Sequence, residues 1–87
     1  MRIVVYDISD AKRLRQVAKI CEQYLYRVQK SVFEGELTKS QLYALKNDLK
    51  KTINQTEDSV IIYFVTRASV KKRLTMGKEL EDQFVII

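Results

Sequence analysis

Eighty-seven residues suffice for one small domain and no second core, and a chain of that size buries only about 60–65% of its unfolded surface, so association with another chain would help it. With 46% hydrophobic residues, no Pro and two Gly, the sequence is neither a disordered chain nor a linker. The lack of His, together with a single Cys, excludes Ser-His-Asp and Cys-His nucleophiles and a zinc site; any hydrolysis must rely on carboxylates and a hard metal ion.

The net charge of +5 is unevenly spread. Residues 11–30 hold six Lys/Arg against one Glu and residues 66–78 hold five with no acid, whereas the remainder has five bases against ten acids. This asymmetry favours an anionic partner, although for any single lysine the plain reading is a solvated surface. The longest apolar stretch, Val60 to Val65, is far below a membrane span, and a strand pattern that begins at once leaves no room for a signal peptide, so a cytoplasmic protein with no membrane partner is expected.

The first strand candidate, Ile3-Val4-Val5-Tyr6, ends on Asp7. From the residues alone, Asp7 reads first as a turn or helix-capping acid; an acid at a strand end beside Lys12, Arg13 and Arg15 also suits a metal held against phosphates. Leu14, Val17, Ala18, Cys21, Tyr24 and Leu25 then recur at helical spacing, with Ser9 or Asp10 as N-cap, and predict a helix near 10–25. Asp10 reads as a cap, not as a ligand. Lys12, Arg15 and Lys19 share the face opposite the apolar stripe and Arg13 its flank, either as a solvated face or as a phosphate-binding edge. Cys21 lies on the apolar stripe and reads as a buried spectator.

Tyr26 to Leu37 is rich in β-formers and reads as one bulged strand or as two short strands bent near Lys30-Ser31. Thr38-Lys39-Ser40-Gln41 matches a capping box ahead of Leu42, Leu45, Leu49 and Ile53, the clearest helix signal in the chain. Asp58-Ser59 introduces the apolar run Val60 to Val65, of the sort found in a strand covered on both faces, which should be central or covered by a partner. Residues 67–78 suit a short helix or irregular loop that Gly77 ends, and Phe84-Val85-Ile86-Ile87 forms a terminal strand with an edge that invites pairing. The order suits a single α+β domain, a ferredoxin-like βαββαβ sandwich over residues 1–87 with an extra C-terminal strand, its apolar sheet face packed in a homodimer.

Val4-Val5-Tyr6-Asp7-Ile8, Arg13-Leu14-Arg15, the string Arg27 to Leu37 and Asp58-Ser59-Val60-Ile61-Ile62-Tyr63 resemble the small CRISPR-associated adaptation protein, the Cas-two family, which partners the larger Cas-one integrase. The resemblance covers nearly the whole chain, and Val28-Gln29-Lys30-Ser31-Val32-Phe33-Glu34 is its most specific part. It implies a homodimer of ferredoxin-like subunits in which the terminal strand, about residues 83–87, adds to the partner's sheet, and two copies of Asp7 face each other across the twofold axis and hold magnesium, or manganese. It further implies either a metal-dependent endonuclease acting on RNA or duplex DNA, with Asp7 as catalytic and metal-binding residue, or a non-catalytic bridge between integrase dimers in spacer acquisition. A toxin-like ribonuclease of related fold is the remaining alternative. A single-strand RNA-recognition module is set aside, because Ser31-Val32-Phe33-Glu34-Gly35-Glu36 is acidic where that motif is basic. Lys12, Arg13, Arg15, Lys19 and Arg27 are the expected phosphate contacts. Ser31 reads as a strand hydroxyl and Phe33 as core packing first, with support of the Asp7 site as the second role of each.

Overall fold

The computed structural model describes residues 1–66, 68 and 73–78. Its elements run β1 (Arg2–Asp7), α1 (Ala11–Glu22), β2 (Tyr26–Gln29), β3 (Val32–Gly35), α2 (Lys39–Thr52) and β4 (Ser59–Phe64). The strands form an antiparallel sheet in the order β2-β3-β1-β4. This is the ferredoxin-like βαββαβ arrangement, with both helices against one face of the sheet. The expected terminal strand at Phe84 to Ile87 lies outside the described residues.

Strand alternation decides which side chains meet the helices. Val4 and Tyr6 of β1 are buried, and Phe33, the β3 partner of Val4, is fully buried beside them. They pack with Val17, Ala18 and Cys21 of α1 and Leu45 and Leu49 of α2 into one core. Ile3, Val5 and Asp7 therefore point to the other, open face, together with their β4 partners Tyr63, Ile61 and Ser59.

Both helices start on side-chain caps. Asp10 accepts the Arg13 backbone N–H at 2.9 Å, so Asp10, not Ser9, is the cap of α1. Thr38 and Gln41 complete the expected capping box, Thr38 Oγ1 accepting the Gln41 N–H at 3.1 Å and Gln41 Oε1 the Thr38 N–H at 2.9 Å. The first helix is shorter than the periodicity predicts. It ends at Glu22, and Leu25 reaches the core from the following turn, where its N–H still bonds the Cys21 carbonyl.

The Tyr26 to Leu37 segment resolves into two strands bent at Lys30-Ser31, with a bulge between Arg27 and Gln29. The apolar run of β4 is not central. Among the described residues β4 pairs with β1 alone and lies at the sheet edge; Val60 and Ile62 pack on the core, while Ile61 and Tyr63 on the open face are about half exposed (47% and 53%). Residues 73–78 run without regular structure, and Gly77 takes a left-handed φ of +84°. Arg73 bonds Glu34 at 3.1 Å, tying this segment to the open face of β3.

Candidate functional site

Three aspartates surround the end of β1 and the start of β4, and their surroundings differ. Asp10 is committed to the α1 cap. Asp58 is committed further: its side chain is wholly buried and accepts five hydrogen bonds. Oδ1 takes the Ser9 N–H at 3.0 Å, the Ser9 hydroxyl at 3.2 Å and Arg13 Nη2 at 3.2 Å. Oδ2 takes Arg13 Nε and the Asn54 N–H, each at 2.8 Å. The Arg13 guanidinium, which donates in two-point fashion, holds the Asp58 carboxyl far below the usual carboxylate range against the opposing effect of burial, with the Asn54 and Ser9 N–H groups adding to it. Asp58 in turn raises Arg13.

Asp7 is the one left available. It closes β1 opposite Ser59, is exposed on the open face, and its carboxylate takes no hydrogen bond or ion pair among the described residues. Its neighbours in the sheet follow from register. Val5 pairs with Val32, and the Tyr6 N–H bonds the Ser31 carbonyl at 3.1 Å, so the Lys30-Ser31 bend flanks Asp7 on one side and Ser59 on the other. Ser31 is thus near the strand end. Phe33 is not: it lies in the core on the opposite face, stacked near Tyr6 with ring centroids 6.1 Å apart, which is the core-packing role and not a wall beside Asp7.

The cationic residues also divide. Lys12, Arg15 and Lys19 are exposed on α1 and pair with no acid among the described residues. Arg13 does not join that free stripe. Its side chain is 23% exposed and is held by Asp58 and, through Nη2 at 3.0 Å, by Glu57. Arg27 sits on the core face of β2, its guanidinium 5.2 Å from the Phe33 ring centre and its Nε buried without a hydrogen-bond partner among the described residues. Burial raises the Tyr6 phenol beside it, and Arg27 partly offsets this.

The Asp58 cluster is the feature that sequence reading missed. Asp58 registered as the residue before a strand and as part of a segment that carries the family resemblance, with no partner assigned to it, and Ser9 only as an alternative cap. The signal that would have found the cluster is register: once Ser59 pairs with Asp7, Asp58 must lie beside the residues that follow Asp7.

No group of three or more Cys, Asp or Glu side chains able to hold a metal ion occurs among the described residues. The exposed Asp7 carboxylate could supply one ligand to magnesium, which commonly binds one or two carboxylates and completes its shell with water and phosphate. Two copies of Asp7, if a twofold axis brought them together, would match that donor set. No helix among the described residues is long and apolar enough to cross a membrane.

A family model described as CRISPR associated protein Cas2 matches residues 1–73. A protein of Archaeoglobus fulgidus named CRISPR-associated endoribonuclease Cas2 2 is 43% identical over 77 residues, covering 88% of this chain and 83% of its own. The CRISPR-associated endoribonuclease Cas2 of Thermococcus kodakarensis is 44% identical over 77 residues, covering 88% and 87%. The crystal structure of Streptococcus pyogenes Cas2 superposes with a TM-score of 0.80 at 34% identity, over 87% of this chain and 98% of that one.

Proposed function

Because the chain belongs to the CRISPR-associated Cas2 family, we propose that it works in CRISPR adaptation as a nucleic-acid-binding homodimer whose paired Asp7 carboxylates hold magnesium and support phosphodiester cleavage. The observation that carries this reading is the contrast among the three aspartates: Asp10 caps α1, Asp58 is buried and accepts five hydrogen bonds, and the Asp7 carboxylate is exposed and uncommitted among the described residues. Bound magnesium would polarise a phosphoryl oxygen and lower the pKa of a water molecule. Lys12, Arg15 and Lys19 supply the exposed positive face for the phosphate backbone, and backbone contacts carry no base information, so binding is sequence-tolerant. The relatives carry the name endoribonuclease, which makes RNA the first substrate to test and duplex DNA the second.

Dimerisation is supported by the open sheet face, where Ile61, Tyr63 and Tyr26 remain about half exposed. The β4 edge offers a place for the Phe84 to Ile87 segment of a second chain. A Cas-one type integrase is the further partner.

The test is cleavage of RNA and of duplex DNA by purified protein with magnesium, with chelator, and in Asp7→Asn. Cleavage that needs metal and falls by orders of magnitude in Asp7→Asn supports the enzyme. A second reading, a non-catalytic bridge between integrase dimers, is favoured by Asp7 being the one uncommitted carboxylate among the three described aspartates around the end of β1 and the start of β4. Its mark is a stable complex with the integrase that survives Asp7→Asn, with no metal-dependent cleavage by the wild type.

A further inference from the structure

We propose that Asp58 is a positioning residue for Asp7, fixing the end of β1 through the β1–α1 junction and the turn before β4. This rests on the reading of Asp7 as the metal-holding carboxylate.

Asp7 has no side-chain partner of its own among the described residues, so the place of its carboxylate is set by its backbone. That backbone is held on two sides. Across the sheet, Asp7 is in register with Ser59, the residue that follows Asp58. Along the chain, Ser9, two residues on, donates both its N–H and its hydroxyl to Asp58 Oδ1 at 3.0 and 3.2 Å. The same carboxylate binds Arg13 in the first turn of α1 and the Asn54 N–H in the turn before β4. One buried group therefore joins the β1–α1 junction, the first helix and the α2–β4 turn.

The turn that presents Asp58 is itself built. Asn54 Oδ1 accepts the Thr56 N–H and hydroxyl at 3.0 and 2.7 Å, and the Asn54 carbonyl accepts the N–H groups of Glu57 and Asp58 at 3.1 and 2.8 Å. These bonds leave the Asp58 carboxylate little freedom, and Ser9 is held with it. Arg13 has a different task from its neighbour Arg15: its charge balances the buried Asp58 and is withdrawn from the phosphate-binding face.

The experiment is a manganese titration followed by electron paramagnetic resonance on the full chain, comparing wild type with Asp58→Asn, Arg13→Lys, Asp7→Asn and, as a control destabilised away from the site, Thr38→Ala. Asp58→Asn should weaken manganese binding about tenfold, the low end for residues that support metal ligands. Arg13→Lys, which keeps the charge but loses the two-point fork, should weaken it less and stay folded if Asp58→Asn does not. Thr38→Ala should leave affinity within twofold of wild type. Wild-type affinity in Asp58→Asn, or an equal loss in Thr38→Ala, would overturn the positioning role alone. A wild type that binds no manganese would instead remove the Asp7 metal site, and the positioning role with it.

Discussion

Arg13 Nε lies 2.8 Å from Asp58 Oδ2, and this pair joins the first turn of α1 to the residue that introduces β4. The pairing separates two arginines that the sequence presents as equals. Arg15, two residues on, stays exposed with its charge uncommitted among the described residues.

The two arginines should accordingly fail in different ways. Replacing Lys12, Arg15 and Lys19 together by Ala is expected to weaken nucleic-acid binding and flatten its salt dependence, by about 0.7 of log-log slope for each single-strand phosphate no longer neutralised and about 0.9 for each duplex phosphate. Arg13→Ala should instead lower the melting temperature, because it strands a buried carboxylate, and leave the slope close to wild type. Binding isotherms at several salt concentrations, with melting curves on the same samples, check both.

Acid should weaken the same junction. The folded-state pKa of Asp58 is depressed by Arg13, so its contribution to stability is fully present above the unfolded carboxylate pKa of about 3.9 and is lost as pH falls below that value. Asp58→Asn cannot show this loss. The melting-temperature gap between wild type and Asp58→Asn is expected to be widest near neutrality and to narrow towards about pH 3. Glu57 and Asp10 also face Arg13, so Glu57→Gln and Asp10→Asn are the controls that isolate Asp58.

Cys21 should be silent in the native protein. Burial pushes its thiol up to about 12, and the side chain packs in the core between Val17 and Leu25. A thiol reagent at neutral pH is expected to label it only as fast as the chain opens. Phe33→Ala, which empties the centre of the same core at a cost of about 3–5 kcal/mol, should accelerate that labelling sharply, as would not happen if Phe33 were a wall of an exposed site.

Features whose partners lie a few residues apart were legible before the structure. The Thr38–Gln41 capping box and the Asp10 cap close within one turn, and the apolar period of α1 correctly marks Val17, Ala18 and Cys21 as buried. The ferredoxin-like order followed from the same local signals. The Asp58 cluster was not legible, because Arg13 and Asp58 are 45 residues apart and meet only once β1 and β4 pair. The edge place of β4 was hidden for another reason: an apolar run reads alike whether its outer face packs on its own chain or stays open to a partner. Arg27 and Phe33 belonged to one string, yet sheet alternation turns both to the core face, away from Asp7.

The most direct measurement is the stoichiometry of manganese on the purified protein, read by electron paramagnetic resonance against chain concentration, in wild type and in Asp7→Asn. Paired Asp7 carboxylates across a twofold axis predict one tight site for every two chains, absent in Asp7→Asn while the dimer persists by light scattering. One site per chain, or binding unchanged in Asp7→Asn, would contradict it.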